Sequence, residues 1–380
     1  MNRALKSLWS ALLVAPAVGL AAPAFAQAPA AALADTSQPG SVIVFPKFVT
    51  GTVVVDGVTT PKTEIELGAV CPNGVICPEH QQIKVRFHWV CPGSDDITFK
   101  YICNSTDFDV FLTVDGKAVF NTELIRLAGD LAQPTVRRPG FNADGTLCTR
   151  GYLFGYVINQ SDQPIKYDGL IGDAVLRVDP AAVQAYRAVT LQADTALANL
   201  AATTPGADGA LIFDGAPGHY KTITGQISGD VKYDNPGPPT TIGTSISLLT
   251  LDVRQNLSNY PTFLHLNFWS EDEVIESTAL HFVCYGQFNL STKIDPNLTA
   301  AGMGPNGRKG VFQSNQAVKQ QIGGIADVAG PVTLIGLVHT VEGPTGGDTL
   351  SRSYIFNTYN NGVAIPTQFL PTFGTLQAPG

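Results

Sequence analysis

The chain has 380 residues, with 23 Lys and Arg against 31 Asp and Glu, a formal net charge of −8. Nucleic acid and anionic membrane repel such a chain at long range, so neither is expected as a partner. Hydrophobic residues make up 44% and charged residues 14%, enough apolar material for a sizeable core, and the length suggests about two domains.

The N-terminus carries Arg3 and Lys6, an apolar run from Leu8 to Ala22 broken by Pro16 and Gly19, and then Ala24-Phe25-Ala26. A basic flank, a short apolar segment and small residues before a cleavage point read as a secretory signal peptide over 1–26, the alternative being a retained anchor. Cleavage between Ala26 and Gln27 removes two basic side chains and no acidic one, taking the net charge from −8 to −10. The mature chain is expected to be secreted or periplasmic, with no integral membrane segment after cleavage.

Residues 27–40 are rich in Ala, Pro and Ser and read as a flexible leader. From Ser41 onward, short β-branched and aromatic runs alternate with Gly, Pro, Asn and Asp, for example Val42 to Phe45, Thr63 to Leu67, Ile83 to Phe87 and Phe108 to Leu112. Period-two alternation with turn punctuation predicts a mainly β chain built of sandwich-like units. The stretch from Asp179-Pro180 to Ala202 is Ala-rich, with a capping Asp and a first-turn Pro, and predicts one connecting helix over 179–209.

The chain on either side of that connector looks duplicated. Trp89 and Trp269, Cys103 and Cys284, Phe108 and Phe288, Thr113 and Thr292, and Leu153 and Leu334 are each about 180 residues apart, too long a period for a solenoid. The expectation is two tandem β-sandwich-like domains, 41–178 and 210–380.

All six cysteines follow the signal peptide. In an exported chain an even count favours disulfides, with fifteen complete pairings open. Cys71 and Cys77 bracket turn residues and suit a local loop; Cys91 and Cys103 flank Pro92 to Asp96 and suit a hairpin. Cys148 and Cys284 are then left as a pair or as free thiols. A zinc site is the sharper alternative, but the spacing does not match metal-binding pairs, and neither metal nor cofactor is expected.

Three blocks carry a resemblance: Gly40-Ser-Val-Ile-Val-Phe-Pro-Lys-Phe48; Gly151 to Asn159 with Gln163 to Asp173; and Leu264 to Phe268 running on to His281 to Cys284. They resemble a family of secreted β-rich bacterial proteins whose mature chains open with Gly-Ser-hydrophobic-Val-Phe-Pro. That family has no assigned enzymatic activity, so the resemblance implies a compartment and a β-rich build and carries over no functional residue.

Catalytic signatures are sparse. Gly225-Gln-Ile-Ser-Gly229 lacks the spacing of a nucleophile elbow, and there is neither a His-Glu-x-x-His zinc motif nor a phosphate loop. On the strand holding Leu264, Leu266 and Phe268, the opposite face carries His265, Asn267 and Trp269; if His281 shares it, a polar-aromatic patch with Tyr285 results. That patch reads as a binding face or as an ordinary solvated or inter-domain sheet face. Trp89 and Trp269 read as core, with a sugar-stacking platform as the sharper alternative. Glu271, Asp272 and Glu273 should form a hairpin tip, and the acidic loops Ser94 to Ile97 and Ser270 to Val274 are candidate contact regions. The function expected is a non-catalytic envelope or extracellular protein with a structural, adhesive or binding role, its partner a protein or carbohydrate surface. The alternatives are a secreted hydrolase acting on polysaccharide or ester, and a subunit that self-assembles through Val42 to Phe48.

Overall fold

The computed structural model describes residues 33–92, 103–126, 133–142, 144–177, 182–206, 209–235, 237, 240–251, 261–319, 330–344, 350–355, 357–358 and 367–369. The signal peptide, the first part of the leader and the loop Ser94 to Ile97 lie outside these residues.

In chain order the strands are β1 (Val42–Val49), β2 (Thr52–Val55), β3 (Val58–Pro61), β4 (Thr63–Ala69), β5 (Gln82–Cys91), β6 (Asn104–Thr113), β7 (Lys117–Asn121), β8 (Arg150–Ile158), β9 (Leu170–Arg177), β10 (Val183–Arg187), β11 (Val189–Leu191) and β12 (Leu211–Phe213). They continue as β13 (Ile227–Lys232), β14 (Thr240–Leu249), β15 (Thr262–Ser270), β16 (Ile275–Phe282), β17 (Tyr285–Asn289), β18 (Lys309–Ser314), β19 (Val318–Lys319), β20 (Gly330–Pro331), β21 (Ile335–Pro344), β22 (Leu350–Ile355), β23 (Asn357–Thr358) and β24 (Thr367–Phe369). The chain is mainly β, as its alternation predicts.

In the first half, a sheet ordered β11-β1-β8-β5-β6 faces one ordered β10-β9-β4-β7. Phe45, Phe87, Trp89, Phe108 and Phe120 fill one apolar cluster with Ile65, Leu67 and Leu176 from the facing sheet. Gly155 on β8 lies opposite Phe87, where a Cβ would collide with the ring; the bare backbone lets the aromatic cluster close. In the second half, β20-β19-β15-β18-β13-β23, with β16 on the other edge of β15, faces β17-β14-β21-β22. Leu264, Leu266, Phe268 and Phe312 meet Ile246, Leu248 and Val338 there.

A third apolar layer lies between the halves. Val42, Val44, Tyr152 and Phe154, on the back of the first half's larger sheet, pack with Phe213, Tyr220, Leu249, Tyr285 and Ile335. This is why β1 is buried along both faces, as its unbroken Val-Ile-Val-Phe run requires. Pro46, which has no N–H to offer a ladder, sits in a register shift between Phe45 and Phe48.

The structure corrects two expectations, the connecting helix and the pairing of the cysteines. No α-helix occurs among the described residues; the 179–209 connector instead holds β10 and β11, paired to β9 and β1. Gln184 and Tyr186 point inward between exposed Val183, Ala185 and Arg187, so the period here is two and pairing overrides the helix propensity of alanine. In residues 33–40, Ala34 N–H donates to Thr222 O at 2.7 Å, Asp35 N–H to Gln192 Oε1 at 2.9 Å, and Gly40 N–H to Leu170 O at 3.1 Å. Both edges of β1 are paired within the chain, by β11 and β8.

The last correction concerns the disulfides. Cys71 pairs with Cys77 as expected, with Cα atoms 5.8 Å apart. Cys91 pairs with Cys148 at 5.8 Å, and Cys103 with Cys284 at 6.2 Å. Cys91 lies opposite Asn104 in the β5–β6 ladder, so Cys103 is one residue out of step and faces the other side of the sheet. Cys91 turns into the core of the first half and Cys103 into the layer between the halves. Peptide mapping without reduction should return these three pairs. In the chain-entropy treatment the bonds limit the unfolded chain by roughly 2, 4 and 5 kcal/mol in sequence order. Denaturant titration should therefore show a larger loss for the Cys103→Ser, Cys284→Ser double variant than for Cys71→Ser, Cys77→Ser.

Candidate functional site

On β15 the side chains alternate as the sequence predicts: Leu264, Leu266 and Phe268 are buried, while His265, Asn267 and Trp269 point outward. His281 lies opposite Phe263 on β16, on the same outward face, with their rings 5.8 Å apart. Ile275 opposite Trp269 is 60% exposed, and Val311, its partner on β18, is 48% exposed. The structure thus brings His265, Asn267, Trp269 and His281 onto one sheet face and surrounds Trp269 with apolar neighbours. It does not bring Tyr285 there; that ring is buried between the halves, 6.2 Å from Tyr152.

Trp89 and Trp269 are not equivalent. Trp89 is fully buried and donates its indole N–H to Arg137 O at 2.7 Å, whereas Trp269 is only half-buried on an outer face. Ser270 to Val274 forms the expected hairpin tip, closed by Ser270 N–H donating to Val274 O at 3.0 Å. Its Asp272 accepts from the backbone and side chain of Asn306.

A charged cluster covers the back of β5 and β6. Lys84 reaches Asp162 at 2.7 Å and Asp109 at 3.1 Å, and Arg86 bonds the same two carboxylates. The hydrogen bond from Lys84, reinforced by Arg86, holds the Asp162 carboxyl below its usual range. Beside it, His88 Nδ1 lies 2.7 Å from Asp107 and its ring stacks on Tyr156 at 5.6 Å. Burial, the largest influence, pushes the Asp107 carboxyl up, but His88, the Ser105 hydroxyl and the Arg86 charge together outweigh it and the net direction is down. Ser105 donates to Asp107 rather than to the imidazole, so the trio lacks the nucleophile-to-base contact of acyl transfer. Two cations meet two carboxylates here, and the cluster neutralises itself.

A different site lies between the halves. A cavity of about 380 Å³ is walled on one side by Lys47, Lys62 and Arg177 and on the other by Ser245, Gln287 and His339. Lys47 is 2% exposed. Its ammonium lies 2.8 Å from His339 Nδ1, while Tyr186 clamps its backbone. Burial, assisted by Arg150, pulls the Lys47 pKa from 10.5 to about 7. Burial, with Lys47 alongside, pulls His339 from 6.5 to about 3. No sequence motif links Lys47 to His339, which lie 292 residues apart. The available signal was one cation, Lys47, inside an otherwise apolar strand.

No protein-family model matches the chain, and no curated protein is significantly similar to it. Among solved structures, a fructofuranosidase from Schwanniomyces occidentalis is 10% identical over 81% of this chain, with a TM-score of 0.15. This chain spans 56% of the length of that enzyme. The CfaE adhesin of enterotoxigenic Escherichia coli is 8% identical over 84% of this chain and 93% of its own, with a TM-score of 0.14. Similarity this low carries no argument about fold or function. Among the described residues no group of three or more His, Cys, Asp or Glu is placed to hold a metal, and no helix is long and apolar enough to cross a membrane.

The two depressed values make stability rise with pH. Between about 3 and 6.5 the unfolded chain holds a proton that native His339 has lost, and between about 7 and 10.5 the same is true of Lys47. The rise should end near pH 10, because burial raises the phenols of Tyr152 and Tyr186 and ionisation then favours the unfolded chain. Lys47→Met should abolish the upper window and stabilise the protein at pH 7 by on the order of 3 kcal/mol. Urea titrations from pH 3 to 9.5 measure both effects.

Proposed function

We propose that this is an exported, non-catalytic protein of an envelope or extracellular space, with a structural, adhesive or binding role on a carbohydrate surface. The observation that carries the reading is the pairing of all six cysteines, including the Cys103–Cys284 bond across the halves. Three structural disulfides suit an oxidising compartment and are rare where thiols are kept reduced. The signal peptide read over residues 1–26 points the same way, as does the resemblance to secreted β-rich bacterial proteins.

The body of the protein reads as two tandem sandwiches from one duplicated unit. Supporting this, β6-β5-β8 facing β7-β4-β9 has a counterpart in β17-β14-β21 facing β18-β13-β23, with the same chain order and antiparallel pairing. In this alignment β14 matches β5, and the β15–β16 hairpin is an insertion. The Phe108–Phe288 and Leu153–Leu334 landmarks join corresponding segments; the two tryptophans do not.

The inserted hairpin carries the binding face. Trp269 offers a partly exposed ring on a flat sheet, with Asn267 and Gln313 beside it as hydrogen-bonding amides. An aromatic plane flanked by amides suits the apolar face and hydroxyls of a sugar. The hydrolase alternative needed His265 and His281 in a cleft between the halves, whereas both stand on an outer sheet face. Sedimentation of the mature protein with insoluble cellulose, chitin and peptidoglycan tests the reading. At least one should retain it, and Trp269→Ala should lower retention at least tenfold with an unchanged melting temperature. Equal retention of the variant, or none by any polymer, would count against the face.

A further inference from the structure

The cavity between the halves is assembled from the outer face of β14, β17 and β21. Ser245, Gln287 and His339 project from that face, while alternate residues such as Ile246 and Val338 point into the core of the second half. At one end of this face Leu249, Tyr285 and Ile335 make the dry layer against the first half. At the other end the side chains turn polar and line the cavity.

Charge in the lining is lopsided. Lys47, Lys62 and Arg177 are set against a single carboxylate among the described lining residues, Asp234. Asp234 is already engaged: it accepts from Thr244 N–H at 2.7 Å, and from the Ser291 N–H and hydroxyl at 3.0 and 2.6 Å. Glu64 lies 3.6 Å from Arg177. Lys47, the most deeply buried of the cations, faces a neutral imidazole instead of a carboxylate. A buried ammonium without an anionic partner is costly to retain, and an anion supplied from outside would complete the pair. On the facing wall Gln287 keeps a buried side-chain oxygen with no hydrogen-bond partner, beside the hydroxyls of Ser245 and Thr292 and the amide of Asn289. These are groups for hydroxyls, and the volume falls within the range of small-molecule sites.

We propose that the cavity between the two halves binds a small hydroxylated monocarboxylate of the sugar-acid type, its carboxylate anchored by Lys47 and its hydroxyls by Gln287, Asn289 and Ser245. The site is separate from the Trp269 face and does not depend on it. Among the described residues, the titratable groups facing Lys47 are the His339 imidazole from β21, the Arg150 guanidinium from β8 and the Tyr186 hydroxyl from β10. His339 protonates near pH 3 and burial keeps the Tyr186 phenol neutral. Between pH 5 and 9 Lys47 is therefore the member of this set that changes charge, and anion binding recruits its proton.

Isothermal titration of the mature protein with glucuronate, galacturonate and gluconate tests this, with glucose as the neutral counterpart and inorganic phosphate as a second anion. At least one sugar acid should bind, glucose at least tenfold more weakly. Affinity should fall by roughly tenfold per pH unit above 7, with proton uptake revealed by comparing buffers of different ionisation heat. Lys47→Met, verified as folded by its melting curve, should lose the sugar acid, and Gln287→Leu should weaken it while leaving the pH dependence intact. The proposal is overturned by absence of binding for all three acids, by glucose binding as well as they do, by phosphate binding in their place, or by full affinity in folded Lys47→Met.

Discussion

The apolar layer between the halves is the constraint on which the rest of the molecule depends. A β-sheet with one face in a core normally leaves the other to water, but here the larger sheet of the first half and the β17-β14-β21-β22 sheet of the second each also bury part of the second face. Val44, Phe154, Phe213, Tyr285 and Ile335 form that layer, and the Cys103–Cys284 bond closes it covalently. Because the bond joins residues 181 apart in sequence, it restricts the unfolded chain more than either other bridge. It also makes the relative position of the halves a property of the covalent structure as well as of packing.

How far this was legible varies with the range of the interaction. Local alternation revealed the β15 strand, down to which of its side chains are buried, because a period of two is written directly into Leu264 to Phe268. The Cys71–Cys77 loop and the Ser270 to Val274 hairpin tip were equally local. The Ala-rich segment after residue 181 was misread because alanine favours a helix wherever nothing else competes. Here β9 offers a free ladder to Val183–Arg187, a fact that lies elsewhere in the chain. The long-range disulfides were out of reach for a similar reason. A register offset of one residue decides which side of the sheet Cys103 faces, and turn residues between Cys91 and Cys103 say nothing about that offset.

The candidate sites divide along the same line. His265, Asn267, Trp269 and His281 were legible as one face because neighbouring strands of a hairpin place them there. Their separation from Tyr285 was not, since it required knowing that β16 and β17, which are almost contiguous in sequence, belong to different sheets. The Trp89–Trp269 spacing shows the opposite limit: a shared offset of about 180 residues does not make two positions equivalent. Trp89 is fully buried in the first half's core, whereas Trp269 stands half-buried on an outer sheet face.

Lys47 and His339 show what a sequence conceals most completely. They are 292 residues apart, and each sits in a strand whose neighbours are apolar or small. Lysine inside a Val-Ile-Val-Phe-Pro run breaks the agreement between local pattern and burial, and such breaks concentrate where a fold gives up stability for a task. The electrostatics sharpen this. If the only requirement at that place were to join the halves, a methionine would fill the volume without the cost of desolvating an amine. The cavity beside the lysine and the unpartnered oxygen of Gln287 suit the proposed anion with hydroxyls. Because the disulfide and the apolar layer already hold the two walls in place, such a ligand meets a preformed site and loses little binding energy in ordering it.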